Sequence, residues 1–237
     1  MLMRVIPRFS TTDTLGVLRR TDAFRDVGDL ALVELCEGAR RIDLRAGHSL
    51  RPAGQPANSV EIVISGLLKR TSFSLAGSER VVELLGRDAL IGLAEAFARQ
   101  PGWTELVAVD PCVLLSIDAA AVRRAVTAEP LLALRLLESL AHRQAEVESE
   151  LVVRDSGSAV QRVIAYLVRL SGLRSLPATG VTRVELPARK QLIAARVGLT
   201  PESLSRVLRQ LVDTGLAVID GRTLSLDNEA LATLRQV

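Results

Sequence analysis

The stretch ARKQLIAARVGLTPESLSRVLRQLVDT, residues 188–214, decides how the rest of the chain is read. Its first half carries Leu192, Ile193, Ala194 and Val197 at helical spacing, and Gly198-Leu199 interrupts it. Thr200 then offers a side-chain oxygen suited to capping a helix start. Pro201 takes the first helical position, where its missing N–H is no loss. The second half sets Leu204, Val207, Leu208 and Leu211 on one stripe. The small Ala194 lets two helices cross closely, Gly198 permits the turn, and Leu204 locks the pair. This spacing predicts a helix-turn-helix, whose second helix lies in a major groove.

The face left over on the N-terminal turns of that second helix is Glu202, Ser203, Ser205, Arg206 and Arg209. Glu202 and Arg206 stand four residues apart, which suits an exposed intrahelical ion pair. The same adjacency suits base reading, with Arg206 donating to guanine O6 and N7 while Glu202 accepts from the amine of the paired cytosine. Position favours base reading, because recognition helices meet bases with their N-terminal residues. Downstream, Ala217–Ile219 and Thr223–Leu226 flank Asp220-Gly221, predicting a hairpin with a type I′ turn. The unit is then a winged helix-turn-helix, with Arg222 at the wing tip.

Upstream, Val181–Leu186 reads as a short strand, Leu173 to Gly180 as a loop and Ala159 to Leu170 as a helix. Asp155-Ser156-Gly157-Ser158 is the clearest boundary, ending in a residue ready to cap that helix. Before it, Glu129-Pro130 opens a helix that runs to about Arg154. Along it Ala133, Leu137, Leu140, Gln144, Val147 and Leu151 alternate steps of four and three residues, a heptad seam with one polar member. A bundle helix can carry the same stripe. After Leu140, however, the apolar residues thin to one line among Arg, Gln and Glu, which favours a parallel two-stranded contact. The expectation is a homodimer through Leu137, Leu140, Gln144, Val147 and Leu151.

The N-terminal half follows another rhythm. After a start expected to fray, Val27 to Cys36 reads as a helix with Leu30 and Val33 at helical spacing and Leu32 and Leu35 beside them. Short runs near period two follow: Arg40–Leu44, Asn58–Ile64, Leu67–Leu75, Arg80–Leu85, Thr104–Val109 and Cys112–Ile117. In the second run Val60, Ile62 and Ile64 face one way and Glu61 the other, the alternation of a half-buried strand. Turn signals such as Ser65-Gly66, Ala76-Gly77 and Asp110-Pro111 punctuate them, which suits an antiparallel barrel or jelly roll. A short helix near Leu93 to Arg99 interrupts the strands, and Asp118 caps a helix over Ala119–Thr127. The fold class is therefore α+β, with a β-barrel over 1–128, a dimerisation helix over 129–154 and a winged helix-turn-helix over 155–237.

Composition narrows the function. The chain has 237 residues, 48% hydrophobic and 24% charged, which excludes disordered and fibrous classes. The N-terminus has no apolar core of a signal peptide, and no apolar run is long enough to span a bilayer. A cytoplasmic protein without a membrane partner is expected. The total charge of +3 hides an asymmetry: residues 1–155 hold 19 basic against 21 acidic side chains, and residues 156–237 hold 11 against 6. The basic C-terminal part fits double-stranded DNA as its partner. With two histidines, two cysteines and no glycine-rich phosphate loop, no catalytic constellation assembles, so an enzyme is not expected. A ligand- or partner-binding barrel with a basic dimer appendage is the competing reading, which salt-dependent, palindrome-specific DNA binding separates from the first.

In that order, barrel, long helix, hinge and winged helix-turn-helix resemble the CRP/FNR superfamily of bacterial transcription regulators, over about residues 22–235. The most specific string is Leu199-Thr-Pro-Glu-Ser-Leu-Ser-Arg206. Its Glu202, Ser205 and Arg206 resemble the FNR-type, FixK-like reader of TTGAT half-sites, in which Glu and Arg read the G·C pair and Ser meets a neighbouring thymine. By the same match Lys190, Gln191, Thr200 and Ser203 resemble the phosphate-contacting positions, to which the charges of Arg209 and Arg222 add. The resemblance implies a cyclic-nucleotide-binding-like barrel, a homodimer and RNA polymerase as a further partner.

The chain departs from the family where effectors bind. The nucleotide-binding branch opens a phosphate cassette with Gly-Glu and closes it with Arg-Ser or Arg-Thr. Here the segment reads Ile91-Gly92-Leu93-Ala94-Glu95 and closes with Trp103-Thr104. A buried phosphate without a cation is costly, so cyclic nucleotide is not expected. No cysteine cluster precedes Cys36, which removes the iron–sulfur branch; Cys36 is read as a core residue. His48 and His142 are the sole histidines available to a haem. No cofactor is expected; haem or another small effector, a redox-sensitive cysteine and no effector at all stay open, as does activator against repressor.

Overall fold

Alternating apolar residues between Ala39 and Asp118 close into two antiparallel sheets in the computed structural model, which describes residues 4–6, 9–74, 77–171, 177 and 179–234. One sheet runs β1 (Arg4–Ile6), β2 (Ala39–Leu44), β9 (Cys112–Asp118), β4 (Ser59–Ser65) and β7 (Leu90–Ile91). The other runs β3 (Ser49–Arg51), β8 (Glu105–Ala108), β5 (Leu68–Phe73) and β6 (Glu79–Leu85). All six expected strands are present. β1, β3 and β7, with two or three residues each, are too short to leave a period in the sequence. The expected turn at Ala76-Gly77 and the loop from Leu173 to Gly180 lie partly outside the described residues.

The first sheet is buried on both faces. Val63, Ile91 and Leu114 meet Leu68, Leu85 and Leu106 of the second sheet in one core. Val60, Ile62, Leu115 and Ile117 instead meet helices α1 (Thr11–Arg20), α2 (Asp29–Glu37), α4 (Ala119–Ala128) and the start of α5 (Pro130–Ser156). Each such side chain contributes roughly 1.5–3 kcal/mol when fully buried.

Residues 1–3 and 7–8, in the start expected to fray, lie outside the described residues; after them Ser10 accepts from the Asp13 N–H at 3.1 Å to cap α1, whose Val17 and Leu18 enter the core with Phe24. Two expectations are corrected by the packing. On α2, Leu32 and Leu35 are the buried pair while Leu30 is 91% exposed, because packing selects the stripe that faces α1 and α4. Glu61 does face away from Val60 and Ile62, but into the space between the sheets, where it is buried.

The chain forms two compact units, Met1–Ala145 and Glu146–Val237, divided within α5. In the second, α6 (Ala159–Leu170) begins at a full capping box. Ser158 Oγ accepts from the Gln161 N–H at 3.2 Å, and Gln161 Oε1 accepts from the Ser158 N–H at 2.7 Å. Then come β10 (Val181–Glu185), α7 (Lys190–Val197), α8 (Pro201–Asp213), β11 (Ala217–Asp220), β12 (Thr223–Asp227) and α9 (Asn228–Leu234). The three strands form one antiparallel sheet, ordered β10-β12-β11. Val163, Leu167, Ile193, Leu204, Leu208, Leu211, Leu224 and Leu226 make this unit's core.

Candidate functional site

Local chemistry sets the geometry of α7 and α8. Gly198 ends α7 with φ +68°, a left-handed conformation that side chains disfavour. Thr200 Oγ1 accepts from the Ser203 N–H at 3.2 Å and starts α8, with Pro201 beside it. Ala194 is fully buried where the helices meet, so a larger residue there overpacks the crossing, at roughly 1–3 kcal/mol. Leu204, Val207, Leu208 and Leu211 fill one face of α8 as expected, and that burial fixes the opposite face outward.

On that opposite face Glu202, Ser205, Arg206 and Arg209 are exposed and Ser203 is half-buried. Arg206 hydrogen-bonds Ser203 Oγ at 3.3 Å rather than the Glu202 carboxylate. The Glu202 carboxyl is held below the ordinary carboxylate range by its own backbone N–H, then by the Thr200 hydroxyl and the Arg206 charge. It therefore stays an anionic acceptor at neutral pH. Lys190 and Gln191 are exposed on the first turn of α7 and Thr200 at the start of α8. Arg196 of α7 and Arg169 of α6 both ion-pair with Glu150 of α5, so these helices share one buttress.

The wing differs from expectation in two details. Asp220 pairs with Thr223 across the turn, and of the central residues Gly221 alone has positive φ, at +58°. That is the pattern of a type II′ turn, not I′. Arg222 sits in the turn, but its guanidinium folds back, donating from Nε and Nη2 to the Leu186 carbonyl at 3.0 and 2.7 Å.

Along α5, Leu137, Gln144, Val147 and Leu151 of the heptad seam all face solvent in the single chain, with Leu137 62% exposed and Leu151 53%. Leu134 and Val152 extend this apolar line. Leu140 differs: it is half-buried against the core of its own first unit, beside Leu132 and Leu136.

The barrel interior holds what sequence reasoning missed. Trp103 is 92% exposed and lines nothing inside. The cations come from elsewhere in the chain. Arg51 of β3 donates to Glu61 at 2.6 Å, and Ser59 Oγ donates to the same carboxylate at 2.5 Å. Burial raises the Glu61 carboxyl above its usual range, against the pull of Arg51 and Ser59. Arg70 of β5 donates to Glu83 at 3.1 Å, to Glu95 at 3.2 Å and to Thr104 Oγ1 at 3.3 Å. Arg143 of α5 reaches Glu83 at 2.8 Å. Only a faint signal was available beforehand: Arg70 stands inside the run Leu67–Leu75 read as a strand, and Arg51 lies outside every such run.

Cys36 is half-buried against the first core, and Cys112 is buried with its Sγ donating to the Asp110 carbonyl at 3.1 Å. Burial pushes both thiols up, that of Cys112 to about 11, away from the reactive thiolate. His48 contacts the Ala46 carbonyl at 3.2 Å in a turn, and His142 lies on the exposed side of α5. Among the described residues no group of three or more His, Cys, Asp or Glu could hold a metal ion, and no helix is long and apolar enough to cross a membrane.

A two-sheet roll, a long helix with an uncovered apolar seam and a winged helix-turn-helix with a polar, partly cationic exposed face are the parts of a CRP/FNR-type transcription regulator. The chain belongs to that superfamily: residues 161–234 match the Crp-like helix-turn-helix domain and residues 41–129 the cyclic nucleotide-binding domain. Among its relatives is the CRP-like cAMP-activated global transcriptional regulator of Mycobacterium tuberculosis, 24% identical over 91% of this chain and 97% of that one. The global nitrogen regulator of Synechocystis sp. is 28% identical over 74% of this chain and 79% of its own. The solved structure of FixK2 from Bradyrhizobium japonicum shares the fold, with a TM-score of 0.69 and 21% identity over 83% of this chain and 96% of that one.

Proposed function

We propose that the protein is a homodimeric regulator that reads a TTGAT-like palindrome without needing cyclic nucleotide. The observation that carries the reading is the exposed face of α8: Glu202, Ser205 and Arg206 project from its first two turns, over a fully buried opposite stripe. Arg206 donates to the guanine edge, Glu202 accepts from the paired cytosine and Ser205 meets the neighbouring thymine. Lys190, Gln191, Thr200, Ser203 and Arg209 hold the phosphates on either side. Arg222 joins them through the guanidinium N–H groups that Leu186 leaves over. The uncovered line Leu137, Gln144, Val147 and Leu151 pairs with its copy in a second chain, which sets two recognition helices on two half-sites. RNA polymerase is the partner through which a DNA-bound regulator of this class acts.

Independence from nucleotide is supported by the barrel's own charges: Arg51 and Arg70, which face the segment 92–104, are already engaged by the Glu61, Glu83 and Glu95 carboxylates. The two histidines give haem no support, since one sits in a surface turn and the other on the outer side of α5. The test is a gel-shift series with TTGAT-N4-ATCAA and a duplex whose G·C pairs are swapped, at two salt concentrations, with and without cAMP. Preference for the palindrome, steep salt dependence and indifference to cAMP are expected. Equal affinity for both duplexes refutes the base reading, and a saturable response to cAMP refutes the independence.

A further inference from the structure

Arg70 is the hub of the barrel's interior. Its side chain is 16% exposed, and it bonds three segments that are far apart in sequence: Glu83 on β6, Glu95 on α3 (Leu93–Ala98) and Thr104 before β8. Glu95 and Thr104 lie near the two ends of the segment 92–104, so the Arg70 guanidinium ties both ends of that segment to the roll, while Arg123 of α4 donates to its Ala96 carbonyl at 3.0 Å. Alongside, Arg51 is buried against Gly92, where a Cβ would come within 3.0 Å of both its terminal nitrogens. Its Nη1 is buried without a hydrogen-bond partner. Three guanidinium groups, Arg51, Arg70 and Arg143, thus face three carboxylates, Glu61, Glu83 and Glu95.

Buried guanidinium groups need counter-charge, because an unpaired ion is expensive away from water. Glu61 and Glu83 stand on strands and cannot leave. Glu95 is carried by a helix of six residues, is bound through a single 3.2 Å contact and is 18% exposed. It is the one carboxylate delivered to the cluster by the segment itself. We propose that the barrel contains an anion site on Arg70, with Arg51 alongside, whose occupant is the chain's own Glu95, an internal ligand that keeps the segment 92–104 closed without a small anion. This rests on the reading of the barrel as one that works without nucleotide, and names how that comes about.

Removing the Glu95 charge leaves the cluster with an excess cation, and the vacated position then takes an anion from solution. The full-length protein and its Glu95→Gln and Glu95→Ala variants are titrated with inorganic phosphate against sodium chloride of equal ionic strength. Melting temperature and isothermal calorimetry are followed. The wild type should show no saturable response to phosphate. Either variant should bind it at least about tenfold more tightly than the wild type does. Glu95→Gln keeps the side chain's volume and serves if Glu95→Ala fails to fold. Adding Arg70→Gln to the responding variant should abolish the gain. Saturable phosphate binding by the wild type overturns the proposal, and so does a folded Glu95→Gln that gains nothing. Palindrome preference of the wild type, measured in parallel, reports on the DNA reading separately, so either can fail while the other stands.

Discussion

Arg206→Ala isolates base reading from folding. The side chain is exposed, its hydrogen bond goes to Ser203 Oγ, and the core face of α8 is made by other residues. Its loss should change stability by no more than about 0.5 kcal/mol, since alanine is also the better helix former. On DNA the arithmetic is different. A bidentate contact to guanine is worth about 1–3 kcal/mol of discrimination. A dimer makes it in both half-sites, which gives about 2–6 kcal/mol, or roughly 30-fold to 10⁴-fold in relative affinity. The assay is fluorescence anisotropy with TTGAT-N4-ATCAA and the G·C-swapped duplex at two salt concentrations. Arg206→Ala should bind both duplexes alike, with the salt dependence of a protein still held by Lys190 and Arg209. Lys190→Ala should do the reverse, weakening both duplexes equally and lowering the salt slope by about one for each half-site. If Arg206→Ala keeps its preference for the palindrome, Arg206 does not read the guanine and its role is confined to the surface of α8.

Leu137→Glu and Leu151→Glu should each give monomers by sedimentation. Each leucine buries roughly 1.5–3 kcal/mol in each chain of a dimer, and each is exposed enough in the single chain to tolerate the charge. An intact dimer of both variants would remove α5 as the interface. Thr200→Ala should weaken the start of α8 by about 1 kcal/mol, so the Ser203 and Leu204 amides exchange with deuterium about fivefold faster while those of β2 and β9 are unmoved. Unchanged exchange at Ser203 would mean that the cap is idle.

The helix-turn-helix was legible because its signals are contiguous. A cap, a proline, a glycine and two apolar stripes lie within 27 residues, and each acts on its immediate neighbours. The same holds for the Ser158 cap, the Asp118 cap and the six main strands. Burying one stripe of α8 fixes which residues face outward, so the candidate reading face could be named from the sequence. Tertiary structure alone decided which apolar stripe of α2 is inside, since Leu30 and Leu32 have the same chemistry and only α1 and α4 distinguish them. It also separated Leu140, drawn into its own unit, from Leu137, left facing solvent. It turned the Arg222 guanidinium back onto Leu186.

Above all it decided the barrel's interior. The cassette-like segment ends with an outward Trp103, and reading along the chain found no cation there. The cations arrive from strands 34 residues from Thr104, in Arg70, and 10 residues from Glu61, in Arg51. Which charges meet between two sheets depends on strand order and register, set by the whole roll rather than by any neighbour in sequence. Local backbone chemistry is therefore written along the chain, whereas buried charge pairing exists only once the sheets have closed.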